Sequence, residues 1–165
     1  MAVDNTYTAI ATQTLGSAAA SVTFSSIPST YTDLVLVCNI KGTASAYLMM
    51  QFNGDTATNY SETAISGYGG SPYSWRESSV AQMTFSFSGG SMDALWTNSI
   101  FSVQNYANTT TYKTTLTRYN SPSNEVTAAV GLWRSTSAIN SIKVLTSVST
   151  YASGSTFSLY GIKAA

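Results

Sequence analysis

Asp33-Leu34-Val35-Leu36-Val37-Cys38-Asn39-Ile40-Lys41 is the most apolar run in the chain, and it contains neither Gly nor Pro. Its length, its β-branched residues, Pro28 behind it and Gly42 ahead of it predict a strand rather than a helix. At period two, Leu34, Leu36, Cys38 and Ile40 share one face, and Val35, Val37, Asn39 and Lys41 share the other. The first face is wholly apolar. The second starts apolar and ends polar. This pattern predicts an interior strand covered on both sides for most of its length, the spine of a core.

The composition around this run bounds the surface. The 165 residues suffice for one domain with a real core. Charged residues make up only 8%, seven acidic and seven basic, against roughly 25% in an average domain. The surface must therefore be built from Ser, Thr, Asn, Tyr and Gly, which favour strands and turns. Low charge also removes the usual guard against association, so contact with partner subunits is expected. The basic residues are scattered, which argues against a nucleic-acid partner. No apolar stretch approaches the ~20 residues of a helical membrane span. The first residues resemble no signal peptide, so synthesis and folding in a cytoplasm are expected. Cys38 is the single cysteine, so no intrachain disulfide is expected, and its apolar face makes it a small buried hydrophobe.

Outward from the spine, residues 7–15 alternate weakly. Residues 1–16 are accordingly set apart as an N-terminal arm or first strand, and 17–165 as a single domain. Residues 21–27 place Val22 and Phe24 on one face. Residues 47–53 form a strand with Leu48, Met50 and Phe52 inward. The short polar link at 42–46 predicts that this strand folds back on the spine as an antiparallel hairpin. Asn53-Gly54-Asp55 is a strong turn signal. Residues 55–79, with Gly67, Gly69, Gly70 and Pro72, read as a long irregular loop and a contact surface. A strand over 82–88 with Met83, Phe85 and Phe87 on one face ends at Gly89-Gly90. Further strands lie around 100–105 and over the Thr-rich 112–119. In the strand over 125–133, Val126, Ala128, Val130 and Leu132 read as inward. Strands over 139–146 and 156–162 follow, with Ile142, Val144, Phe157 and Leu159 inward. The expected fold is all-β, an antiparallel β-sandwich of jelly-roll or Greek-key kind with about nine or ten strands and no helix.

Few residues suggest chemistry. The chain has no His, which removes a Ser-His-Asp triad and any His-activated thiol. No phosphate-binding glycine pattern occurs. Asn53, Asp55, Asn59 and Glu62 offer oxygens at close spacing, but they read as a turn with Asx hydrogen bonds rather than a calcium site. Asp33, Asp55, Glu62, Glu77, Asp93 and Glu125 are isolated in sequence, whereas a glycosidase needs two carboxylates about 5 to 9.5 Å apart. No catalytic residue, metal or cofactor is expected. Tyr68, Tyr73, Trp75 and Arg76 in the Gly-rich segment, with Trp96 further on, are the candidate contact residues. Such side chains cover the ends of a sandwich, anchor a subunit interface, or stack on sugar rings. Arg134 is expected to stack on Trp133 at the end of its strand.

An ordered set of segments carries a resemblance. It comprises residues 15–28, Tyr31-Thr32-Asp33-Leu34-Val35-Leu36-Val37, Phe52-Asn53-Gly54-Asp55 with Asn59-Tyr60-Ser61, residues 132–139, and Phe157-Ser158-Leu159-Tyr160-Gly161-Ile162. In this order, across nearly the whole chain, they resemble small β-rich virion proteins of tailed bacteriophages. The resemblance implies a non-enzymatic, oligomeric sandwich displayed on the outer surface of the virion, and supplies no catalytic residues. No coiled-coil or fibrous segment precedes the domain, whereas a fibre tip needs a shaft and an anchor. The expectation is therefore a capsid cement or decoration protein, a homotrimer seated over junctions between major capsid protein subunits. The alternative is a receptor-binding head that meets host-surface glycan and is carried by other tail proteins. A glycan-acting enzyme is a remote third.

Overall fold

The structure is a computed structural model that describes residues 6–86, 92 and 94–163. The first five residues of the expected arm, Phe87, the Gly89-Gly90 break and Asp93 lie outside the described residues. In chain order the strands are β1 (Tyr7–Thr14), β2 (Ser21–Phe24), β3 (Asp33–Ile40), β4 (Leu48–Phe52), β5 (Tyr60–Tyr68) and β6 (Ser71–Val80). They continue as β7 (Met83–Thr84), β8 (Thr97–Gln104), β9 (Lys113–Ser121), β10 (Glu125–Trp133), β11 (Ile142–Thr146) and β12 (Thr156–Ile162). The described residues thus form twelve strands and no helix, where nine or ten strands were expected. The larger sheet has eight strands in the order β1-β12-β3-β8-β9-β10-β5-β6, and the smaller has four in the order β2-β11-β4-β7. Every pairing is antiparallel.

The apolar run became β3, held between β12 and β8. Leu34, Leu36, Cys38 and Ile40 have no exposed surface, Val35 is buried and Asn39 is exposed, as the two faces of the run require. Burial pushes the Cys38 thiol far up, so it stays neutral and acts as a packing group. One hydrophobic cluster unites the sheets, with Leu36, Phe101 and Phe157 from the larger and Val22, Met50, Phe52 and Val144 from the smaller. Phe85 meets Phe101 edge-on at 5.0 Å, as Tyr151 meets Phe157.

Three expectations are corrected. First, β4 does not pair with β3. It lies in the smaller sheet between β11 and β7. All five of its residues are buried, so it needs cover on both faces. The link from β3 is drawn away by bridges from Gly42 to Tyr151 and from Ala46 to Met92. Second, residues 60–80 are not an irregular loop but the hairpin β5–β6. It closes at Gly69-Gly70, whose φ angles of 54° and 94° suit a two-residue turn. The inward side chains of β5 are Tyr60, Glu62, Ala64 and Ser66, so no apolar alternation marked the strand.

Third, β10 faces the other way. Val126, Ala128 and Val130 are exposed and Leu132 is half-buried, while Glu125, Thr127, Ala129, Gly131 and Trp133 are buried. Trp133 sets this choice, because at period two one buried anchor fixes every other residue of its strand. Its ring stacks on Tyr60 at 6.3 Å, meets Phe52 edge-on at 5.7 Å, and its indole N–H donates to Asp55 Oδ2 at 2.7 Å. Two residues back, Gly131 admits Met83 and Thr115 so closely that a Cβ would run into both.

Candidate functional site

The inward half of β9, β10 and β5 is polar for a buried surface. Thr115, Thr117, Thr127, Ser66 and Glu125 are all buried there. Three of them serve one another: Thr127 donates to Glu125 Oε1 at 2.7 Å, and Ser66 to the same oxygen at 3.2 Å, while Thr115 accepts from the Gly131 amide and the Thr117 hydroxyl has no hydrogen-bond partner among the described residues. A buried polar group is tolerable when it is hydrogen-bonded. The branched aliphatic residues of these strands therefore lie on the outer face. Ile65 is 67% exposed, Val126 64%, Leu116 53% and Val130 50%. The register puts them side by side, with Val126 opposite Gly67, Ala128 opposite Ile65 and Val130 opposite both Thr63 and Leu116. Toward the β5–β6 turn the face dips into a groove of about 890 Å³ that crosses all four strands from β9 to β6 and is lined by Ile65, Gly67, Pro72, Arg118, Val126 and Ala128. This contiguous apolar face is the principal candidate site. The alternation of β10 was visible in the sequence, but its direction was not.

The five contact residues foreseen from sequence fall into two groups. Tyr68, Tyr73, Trp75 and Arg76 belong to the β5–β6 hairpin. Tyr68 and Tyr73 meet edge-on at 6.2 Å, Trp75 is half-buried against the core, and Arg76 is exposed opposite Thr63, on the apolar outer face. Trp96 precedes β8 and packs near Gly154 in the link from β11 to β12. Between β8 and β6 lie β9, β10 and β5, a separation on the order of 20 Å at normal strand spacing. The structure thus brings Tyr68, Tyr73 and Trp75 onto one face of the hairpin, puts Arg76 on the other, and leaves Trp96 apart from them all.

Two carboxyl groups distant in sequence do meet. Glu62 stands directly opposite Glu77 across β5–β6. Burial first, and then the charge of Glu77, push the Glu62 carboxyl up to about 8, against a smaller downward pull from the Thr84 backbone. Glu62 is 2% exposed, and neither of its carboxyl oxygens finds a partner at ordinary hydrogen-bond geometry among the described residues. A carboxyl closed off in this way does not reach a substrate, although its proton affinity is that of a general acid.

The oxygen cluster at 53–62 is a turn. Asn53 and Gly54 have φ of 52° and 68°. Asp55 accepts from the Ala57 amide at 2.9 Å and from Asn59 at 2.8 Å, in addition to Trp133. Burial raises the Asp55 carboxyl, but the hydrogen bonds from Asn59, Trp133 and Ala57 together outweigh it and hold the group below its usual value. Among the described residues no group of three acidic or thiol side chains is placed to hold a metal. Arg134 takes another role than a stack on Trp133. It donates to Ser61 Oγ and to the Thr58 and Tyr60 carbonyls, tying β10 to the start of β5. No helix among the described residues is long and apolar enough to cross a membrane.

No protein-family model matches the chain, and no curated protein sequence matches it.

Proposed function

We propose that this protein is a non-enzymatic structural subunit of a larger particle, a capsid cement protein of the kind its sequence resembles. In this reading its two sheets form an antiparallel sandwich of jelly-roll or Greek-key kind. It works as a homotrimer on the outer surface of a phage particle, assembled in the host cytoplasm and seated over junctions of the major capsid protein. The observation that carries the reading is the apolar outer face of β9, β10 and β5, with Ile65 and Val126 about two-thirds exposed. An apolar patch of this kind on a protein with so few charges marks a surface meant to be covered by protein.

The mechanism is mass action. A subunit that binds the expanded shell and not its disassembled parts stabilises that shell, by about 2.7 kcal/mol per site at a free concentration of a hundred times Kd. Quantitative mass spectrometry of purified particles tests this. The expected copy number is commensurate with that of the major capsid protein, and a handful of copies per particle contradicts it.

A second reading is a receptor-binding head on a tail appendage. Tyr73 and Trp96, both more than 40% exposed, favour it, since exposed aromatic rings are where sugar rings stack. It requires glycan binding that is lost in Tyr73→Ala or Trp96→Ala.

A further inference from the structure

We propose that the outer face of β9, β10 and β5 is the surface on which copies of this chain meet one another. The inference deepens the assembly reading above and rests on it for the particle, but its test does not.

Size is the first argument. Four strands, β9 to β6, at about 4.8 Å and nine residues at about 3.3 Å give a face of roughly 20 by 30 Å. That is close to what one partner of a standard interface contributes, about 800 Å² of accessible surface once the relief of the side chains is counted. Charge is the second. At the outward positions of β9, β10, β5 and β6 the only charged side chains are Arg118 and Arg76, and no acid is present. Arg76 is on the edge strand, and Arg118 lies opposite Ala128, away from Val130. The stripe Leu116–Val130–Thr63 across the three strands is uncharged. Two copies can bring this stripe and its neighbours Ile65 and Val126 together, with Arg76 at the edge strand and Arg118, beside Ala128, running its aliphatic stem along the face so that its guanidinium reaches solvent. The chain as a whole has a net charge of zero, so nothing at long range opposes the approach.

The distribution of residue types is the third. The inward positions of these strands carry Thr, Ser and Glu beside Tyr60, Tyr119 and Trp133 but no branched aliphatic, and Ile65, Leu116, Val126 and Val130 stand outside. Homo-oligomer interfaces are more apolar than other contact surfaces, and their cores are depleted of charge. A steered partner of opposite charge would instead call for a patch of one sign.

Sedimentation velocity of the full chain at tens of micromolar, above the weakest affinity shown by interfaces of this size, tests the proposal. The wild type is expected to sediment as an oligomer. Val126→Lys and, independently, Ile65→Lys are expected to reduce the mass to that of one chain, 17.5 kDa. Both positions are exposed, so a lysine is compatible with the folded chain, and an unchanged near-ultraviolet circular dichroism spectrum verifies folding. Val148→Lys, at an apolar residue 85% exposed elsewhere, is expected to leave the oligomer intact. A monomeric wild type overturns the proposal, as does an oligomer that survives both face substitutions. Addition of each protein to undecorated shells separates the two claims. A monomer that still binds shells retires the face and keeps the decoration reading. An oligomer broken by both lysines that never binds shells does the reverse.

Discussion

Glu62 carries its carboxyl into the interior opposite Glu77, and the consequence is a pH dependence of fixed sign. The folded protein holds the Glu62 proton up to about pH 8, whereas an ordinary glutamate loses it near 4.5. Between those values the folded chain binds more protons than the unfolded one, so stability falls as pH rises. The contribution is complete below pH 4.5 and lost as pH passes through about 8. Because one pH unit is worth about 1.4 kcal/mol, Glu62→Gln is expected to match the wild type at pH 5. It should exceed the wild type by a few kcal/mol above pH 8. Thermal melts of both proteins across this range check it, and a parallel decline of the two curves contradicts it. Sequence showed two isolated acids here, because only the β5–β6 register makes them neighbours.

At the scale of the element, Asp55 joins the turn after β4 to the far end of β10. Its carboxylate accepts from the Ala57 amide, Asn59 and Trp133. Hydrogen bonds to a charged group are each worth about 1.5 to 3 kcal/mol. Asp55→Ala is expected to cost about 2 kcal/mol or more in a denaturant titration at pH 7, and Trp133→Phe less, since the ring contacts remain. Because the group is held below its usual value, its contribution is present at neutral pH and lost on acidification. Elements were legible in the sequence wherever one face was apolar: β3 from 33–41, β11 from Ile142 and Val144, and β12 from Phe157 and Leu159. The β5–β6 hairpin was hidden because its buried side chains include Glu62 and Ser66. Gly69 and Gly70, read as signs of a loop, serve the two-residue turn, and Gly67 lies within β5. The turn at Asn53-Gly54 was read correctly, but it links two sheets rather than two paired strands.

For the whole molecule, the all-β antiparallel class followed from alternation and turn signals, but the sense of the sheet did not. A strand such as β10 has two faces, and the sequence of that strand alone makes Val126, Ala128 and Val130 the inward set. What reverses it is long-range. Trp133 needs Tyr60, Phe52 and Asp55, and Gly131 needs Met83 above it. The aromatic residues singled out by type sit around the hairpin and at Trp96. The apolar outer face is made of Ile65, Leu116, Val126, Ala128 and Val130, and of these the alternation had assigned Val126, Ala128 and Val130 to the core. A face that reads as core and lies outside is the central feature of this molecule, and the account assigns its cover to other copies of the chain.

The most direct test is thiol reactivity at Val130→Cys. Cys38 is buried and its thiol is held neutral, so the introduced thiol is the one that reports. Labelling is compared with Val148→Cys in the same concentrated solution. The account predicts that Cys at 148 reacts freely while Cys at 130 is protected. A rate at 130 that falls below the rate at 148 by no more than their exposures of 50% and 85% require would show an open face and contradict it.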